Sequence, residues 1–359
     1  MAGTRARPPT VGRWQYAARV PAPSVPLLLT VDGNSLLHRA YHAAATGKLL
    51  DRDERPVWAL KGLVGYAARA AAQFRPDAVV IGFDCPHESV RTAAYPAYKA
   101  HRPEKAADLA VQVVEAPDVL SAAGLTIVAP RGLEADDVLA SCAATARRAG
   151  WRSMLMTSDR DAFALIDDTT SVLRIRNGGF DQAVLVTPSA LFDQYGVRPT
   201  EYRDYAALRG DPSDNLPGVP GFGSATAARL LRRFGSVEAA WTAWDNGDDQ
   251  SIRDLVGARA ADHFGSGAAR EILQRNRALM TMHDDLAVPE PETIRLPLRL
   301  AVMKAALSAR GIILGPSLWA LTGGAPPPDG AAASVIPHAW LRRTPRARRQ
   351  PLPGQLALF

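Results

Sequence analysis

Asp32 and Asp84 each follow a short apolar run, and Glu134, Asp136 and Asp137 open the helical pattern GLEADDVLA. Asp159 and Asp161 lie in TSDRD, Asp211 and Asp214 in GDPSDN. Singly, each has an ordinary explanation. An aspartate after a strand makes a turn, and an acid in a helix's first turn caps it or meets its dipole for about 0.3–1 kcal/mol. As a set they imply more. Clustered carboxylates repel and shift one another's titration, so a fold that gathers nine must also gather positive charge. Oxygen ligands without histidine or cysteine suit magnesium or manganese. Two such ions about 3.5–4 Å apart stabilise both the attacking and the leaving oxygen of a phosphodiester displacement.

What could bring these residues together is an alternation of short apolar runs with helical patterns. Residues 26–31 (PLLLTV), 78–83 (AVVIGF), 125–129 (LTIVA) and 153–157 (SMLMT) read as buried strands. Residues 57–74, 134–149 and 200–208 read as helices. The expected fold class is α/β, with a mostly parallel central sheet flanked by helices. Ligands of such sheets bind beyond the carboxyl ends of the strands, where three of the predicted strands deliver aspartates.

The 359 residues are 47% apolar and 22% charged, which excludes wholesale disorder. Cys85 and Cys142 are isolated, so neither a disulfide scaffold nor a zinc site is expected. No run approaches the roughly 18 apolar residues of a membrane span, and no signal peptide is apparent; a cytoplasmic location is expected. The formal charge of +6 is unevenly spread. Residues 1–26 carry four arginines and no acid, and 322–359 carry five arginines and one aspartate, so the intervening body holds −2. These ends also hold 12 of the 28 prolines and read as basic tails.

Five segments in order, VDGNSLLHRAYHA (31–43), FDCPHESVRTAAYPAYKAHRP (83–103), GLEADDVLAS (132–141), TSDRD (157–161) and GDPSDNLPGVPGFGSATAARLL (210–231), resemble the bacterial 5′→3′ exonuclease and flap endonuclease family. That family has a PIN-like nuclease fold, found free-standing and as the N-terminal domain of DNA polymerase I. The resemblance covers about residues 27–320 and implies a free-standing form. It places Asp32, Asp84, Glu134 and Asp136 around a first metal, where water is activated and the scissile phosphate held. Asp137, Asp159, Asp161, Asp211 and Asp214 fall around a second. Asp32 and Asp136 count among the catalytic residues. One departure is Ala164, where the family has glutamine before leucine.

The resemblance further implies a helical arch over about 91–118, punctuated by Pro103 and Pro117, through which the single-stranded 5′ end passes. Lys99 and Arg91 resemble residues that neutralise the scissile phosphate, a catalytic role. Arg39 and Arg102 are candidate DNA contacts, and Tyr41 and Tyr98 candidate stacking platforms for unpaired bases. Gly218, Gly221, Gly223 and Ser224 match a helix-three-turn-helix that grips the duplex backbone and usually encloses a potassium ion. The expected division is a tail over 1–26, a nuclease domain over 27–186, a helix-three-turn-helix subdomain over 187–321 and a Pro/Arg-rich tail over 322–359. That tail ends in QLALF, which resembles the pentapeptide that binds the bacterial sliding clamp, through Gln355, Leu356, Leu358 and Phe359.

The implied enzyme is a monomeric, two-metal 5′→3′ exonuclease and flap endonuclease using Mg2+, or Mn2+ in its place. It would act in replication and repair on DNA with 5′ flaps, nicks or junctions, and on RNA–DNA hybrids when primers are removed. The competing reading is a non-catalytic junction-binding or clamp-recruited scaffold, disfavoured because all nine carboxylates are present.

Overall fold

The computed structural model describes residues 25–43, 48–87 and 89–326. Gln355, Leu356, Leu358 and Phe359, and nearly all of both predicted tails, lie outside the described residues.

The strands are β1 (Leu27–Asp32), β2 (Ala78–Gly82), β3 (Thr126–Val128), β4 (Arg152–Thr157), β5 (Thr170–Arg176) and β6 (Gly179–Val186), plus a two-residue pair β7 (Gly210–Asp211) and β8 (Leu216–Pro217). The helices are α1 (Gly33–Ala43), α2 (Trp58–Phe74), α3 (Val90–Ala94), α4 (Ala107–Ala122), α5 (Ala135–Arg148), α6 (Pro188–Tyr195) and α7 (Pro199–Arg209). There follow α8 (Ser224–Phe234), α9 (Val237–Asp245), α10 (Asp249–Val256), α11 (Ala258–Phe264), α12 (Gly267–Met280), α13 (Leu300–Ala309) and α14 (Trp319–Thr322). The main sheet has the order β3-β2-β1-β4-β5-β6. Its first five strands are parallel, and β6 returns antiparallel beside β5.

Strand alternation divides the core. Leu27, Leu29, Val31, Val79, Ile81, Met154 and Met156 pack on one face, with α1, α2 and α4. Leu28, Ala78 and Val80 face the other, against Val138, Cys142 and Ala146 of α5. Burial on both faces explains why these strands read as unbroken apolar runs. A third apolar cluster joins Leu155, Phe163 and Val172 to the helices from α6 to α12.

Three features differ from the sequence-based expectation. Pro117 lies inside α4, which continues to Ala122 because Leu109, Gln112, Ala116 and Leu120 are buried and anchor it on the core. A proline has no N–H to donate and helices usually stop near one, but packing overrides that preference here. Within the expected arch of 91–118, residues 95–106 are the bridging segment that links α3 to α4. Second, the pair β5–β6 extends the sheet beyond the four predicted strands. Third, residues 187–321 do not form one unit: Met303, Leu307, Leu318 and Leu321 return to the nuclease core.

Candidate active site

Parallel strands β1 and β2 end side by side, with Asp32 level with Gly82, so Asp32 and Asp84 emerge at one edge. Asp32 is buried and accepts hydrogen bonds from the Ser35 N–H at 2.9 Å and the Thr157 hydroxyl at 2.6 Å. The Asp84 carboxylate accepts the Ala135 N–H at 2.9 Å, which ties the end of β2 to the start of α5. On α5, Glu134 is the N-cap and Asp136 and Asp137 lie in the first turn. Asp159 and Asp161 follow β4, with the Asp161 N–H bonded to Asp159 Oδ1 at 3.0 Å. From the far subdomain, β7 and the turn after it supply Asp211 and Asp214. Asp211 Oδ1 accepts the Ser213 N–H at 2.8 Å and its hydroxyl at 2.6 Å.

These carboxylates influence one another. Burial, opposed in part by Thr157 and reinforced by Asp84 and Asp159, pushes the Asp32 carboxyl up to about 7. Burial raises Asp84 too. Asp136 is raised well above the carboxylate range by burial and then by Asp159 and Asp32; Asp161 is raised by burial and then by Asp159, Asp211 and Asp214. Burial outweighs Lys99 and Arg102 in raising Asp214. Among the described residues no three acidic, histidine or cysteine side chains already converge as a closed coordination shell. The fit to a cation rests on the donor chemistry: oxygen-only side chains, desolvated together and mutually repelling, are stabilised as anions by positive charge placed among them.

Asp137, expected around a second metal, stands apart from the other carboxylates in its partners. It is fully buried, and both its oxygens are occupied. Arg91 Nη1 and Nη2 donate to Oδ2 and Oδ1 at 2.8 and 2.7 Å. The Glu134 and His283 N–H groups complete the set at 2.9 Å each. Arg91 then holds Asp137 below the ordinary range even though burial pushes it up. Arg91 itself is buried, and two further donors reach the carbonyls of Leu279 and Thr281, each at 2.9 Å. The guanidinium thus joins α3, α5 and the end of α12, and its Nη1 also stands 3.6 Å from Glu134 Oε2 at the edge of the carboxylate cluster.

Lys99 reaches the carboxylate edge as well. Its Nζ donates to Glu134 Oε2 at 3.0 Å, and its N–H to the Asp214 carbonyl at 3.0 Å. Burial would lower the ammonium, but Glu134, Asp214 and Asp136 together hold it above its usual value. Arg102 Nε bonds the Ser213 carbonyl at 3.2 Å, and its Nη2 the Asp214 carboxylate. Asn215 Nδ2 donates to the Ala97 carbonyl at 2.8 Å. Residues 97–102 are thus docked on the Asp211–Asp214 turn, so both halves of the molecule frame one site.

The proposed stacking tyrosines are placed otherwise. Tyr98 is buried and its hydroxyl donates to Glu134 Oε2 at 3.3 Å, which leaves no open ring face for a base. Tyr41 stacks on Trp58 with centroids 5.4 Å apart and donates to Asp108 at 2.7 Å. Arg39 Nη1 bonds Asn177 Oδ1 of the β5–β6 turn. Gly218 is needed for close backbone packing, since a Cβ there would lie 2.2 Å from the Arg209 carbonyl carbon. Gly221 has φ of +87° and abuts Ala260, and Gly223 faces open space as the N-cap of α8, one residue before the exposed Ser224.

Sequence reasoning missed His38 of α1, whose imidazole is lowered to about 4 by burial first, then by Lys105, His42 and Arg102. A histidine six residues beyond Asp32 was a visible signal for it. It also missed a cavity of about 760 Å³ bounded by Phe192, Tyr195, Tyr205, Ser224, Arg229 and Arg232, whose parts come from three helices. No described helix is long and apolar enough to cross a membrane.

The comparisons with known proteins agree with this geometry. Residues 27–196 match a family model described as 5′-3′ exonuclease, N-terminal resolvase-like domain, and residues 197–299 match 5′-3′ exonuclease, C-terminal SAM fold. DNA polymerase I of Mycobacterium bovis is 35% identical over 272 residues, covering 76% of this chain and 29% of the polymerase. The thermostable DNA polymerase I of Thermus thermophilus is 34% identical over 318 residues, covering 85% of this chain and 35% of the polymerase. The chain thus spans about a third of the curated relatives it matches. Among solved structures, the bacteriophage T5 5′-exonuclease with divalent metal ions (zinc) bound has a TM-score of 0.56 at 18% identity, covering 82% of this chain and 94% of that one. Human GEN1 in complex with Holliday junction DNA has 0.52 at 15%, covering 83% and 73%. Both likenesses are of fold, a mixed α/β architecture of PIN-like type. With both family models matched in order across the carboxylate strands and the helices that close over them, the chain belongs to the 5′→3′ exonuclease family.

Proposed function

We propose that this chain hydrolyses DNA phosphodiester bonds as a divalent-metal-dependent 5′→3′ exonuclease and 5′ flap endonuclease. The observation that carries the reading is the convergence at the carboxyl edge of the sheet of Asp32 and Asp84, from adjacent parallel strands, on Glu134 and Asp136 at the start of α5, to which Asp84 is bonded through the Ala135 N–H. Asp32, Asp84, Glu134 and Asp136 would hold one ion, and Asp159, Asp161, Asp211 and Asp214 a second. Mg2+ suits these donors, and Mn2+ can replace it. When bound, the ions supply an acidified water and stabilise charge on the phosphate oxygens.

The chain's own residues position the substrate. Lys99 carries the cationic group that stands beside Glu134, and it supplies fixed positive charge where negative charge grows on the phosphate. The N–H groups at the start of α8, beyond Gly221 and Gly223, face outward for a duplex phosphate; a potassium ion at that turn belongs to the same proposal. Asp137 and Arg91 keep α3 and α5 in register so that Glu134 and Asp136 are correctly aimed. Substrates are DNA with 5′ flaps, nicks or junctions, and RNA–DNA hybrids as a secondary class. Recruitment by a sliding clamp through Gln355, Leu356, Leu358 and Phe359 is supported by the sequence pattern alone; clamp capture that survives deletion of 355–359 removes it.

A 5′-labelled flap substrate tests the reaction. Wild type should release labelled product in magnesium or manganese and none in a chelator. Asp136→Asn combined with Asp161→Asn should keep flap binding and lose at least about a hundredfold in cleavage. Folded wild type that binds the flap yet releases nothing in either metal overturns the reading.

A further inference from the structure

The carboxylates have cations on both flanks. On one side, Lys99 and Arg102 are ion-paired with Glu134 and Asp214. On the other stand Arg174 and Arg176 at the carboxyl end of β5 and Arg160 just after β4, and Arg39 reaches the β5–β6 turn through Asn177. None of these four forms an ion pair among the described residues, unlike Lys99 and Arg102 on the other flank. Arg39 Nε is buried with no hydrogen-bond partner in the described structure.

The strand register places this group. Asp32 is level with Gly82 on β2, Val31 with Met156 on β4, and Thr157 with Arg174 on β5. Arg174 therefore lies in the same row as Asp32 but two strands away, about 10 Å at the usual strand spacing. It is held there by its Nε bond to the Ser158 carbonyl at 3.3 Å and by the Phe163 ring, 5.9 Å from the guanidinium. Burial lowers the Arg174 guanidinium, Tyr195 opposes this, and the like charges of Arg160 and Arg176 add to the lowering. Like charges that form no ion pair are stabilised by an external polyanion.

We infer that Arg39, Arg160, Arg174 and Arg176 form a phosphate track for the uncut strand of a duplex substrate. When the cut strand lies over the carboxylates, the second backbone falls one groove width away, about 6–12 Å in B-DNA. That is where the arginine row stands. The same face continues past Phe163 to Tyr195, 5.7 Å away, and into the cavity lined by Arg229 and Arg232. This rests on the proposed action on DNA, and assigns a strand to a surface that the reaction itself does not use.

Strand-resolved binding tests it. Full-length wild type, Arg176→Gln and Arg160→Gln/Arg176→Gln are titrated with a nicked duplex, calcium replacing magnesium so that the probe stays intact. Removing two phosphate contacts should weaken binding about tenfold and lower the salt slope by roughly 2. Methylphosphonates, which carry no charge, are then placed in one strand at a time. Neutralising the uncut strand should abolish the difference between wild type and variant, and neutralising the cut strand should leave it in place. A difference abolished instead by the cut strand overturns the assignment. So does one that neither strand affects, which marks a structural role, or variants that bind like wild type. Wild type that binds no duplex at all refutes the proposed function and is distinct from these outcomes.

Discussion

Asp136 and Asp137 are neighbours on one helix turn, yet they belong to regions with opposite electrostatics. At the base of the bridging segment, Asp137 is matched atom for atom by Arg91 and two backbone N–H groups. At the strand ends, Asp136 meets Asp159 and Asp32, and burial adds to their repulsion. One region satisfies its charge from within and acts as structure; the other is left with negative charge to be satisfied by something that binds. Charge compensation, more than residue type, separates scaffold from site.

The largest expected effect breaks the compensated region. Arg91→Ala leaves Asp137 buried and unpaired and should destabilise the protein by about 3–5 kcal/mol, read by denaturant unfolding. The Arg91→Met/Asp137→Leu double variant should recover a large part of that loss, because apolar replacement of a whole buried pair is often nearly neutral. Equal loss in the single and double variants would mean that the bonds to Leu279 and Thr281, and not the ion pair, set the cost.

The same operation in the other region should have the opposite sign for stability. A carboxyl whose folded value is raised opposes folding when it ionises. Asp136→Asn should therefore unfold at the same or a higher denaturant concentration than wild type in chelator near pH 7, while turnover falls by about 10²–10³. Instability of Asp136→Asn comparable to that of Arg91→Ala would erase the distinction.

Tyr98 sharpens the boundary between the regions. Tyr98→Phe removes one hydroxyl donated to Glu134 and should cost about 0.5–1.5 kcal/mol of stability. Flap affinity in calcium should change less than twofold in Tyr98→Phe and also in Tyr98→Leu, which removes the ring, because the ring is not offered to bases. A tenfold fall in affinity in Tyr98→Leu with affinity kept in Tyr98→Phe would restore the stacking role.

Much of this was legible in the sequence for a physical reason. Strands buried on both faces must be apolar throughout, and the first polar residue after such a run stands at its carboxyl end, so Asp32 and Asp84 were located without coordinates. The helix start at Glu134 was equally plain, yet the sequence could not say which of two adjacent aspartates would turn inward. That depends on Arg91, 46 residues upstream, and on carbonyls at Leu279 and Thr281. Tyr98 and Pro117 were misread alike: a tyrosine beside lysine and a proline in a charged stretch look like loop residues until tertiary packing buries the ring and carries the helix through the proline. Strand β5 alternates arginine with apolar residues, and only its register beside β4 shows that Arg174 shares a row with Asp32.

His38 offers the smallest effect and the clearest sign. Its imidazole titrates near 4 in the folded chain against about 6.5 when unfolded. Between those values the unfolded state binds the extra proton. The contribution to stability is therefore complete above pH 6.5 and is lost progressively as pH falls towards 4. Burial is the largest cause, and Lys105, His42 and Arg102 add repulsion, so His38 lies on the cationic flank, where a proton is unwelcome for the reason that it is welcome at Asp136. His38→Gln should remove this part of the acid sensitivity while the carboxylates keep theirs. Plotted as a difference, wild-type minus variant stability should be flat above pH 7 and decline between pH 6.5 and 4. A difference that stays constant across that window would show that His38 takes up its proton in the folded chain as readily as in the unfolded one, and the cationic flank would then not extend to α1.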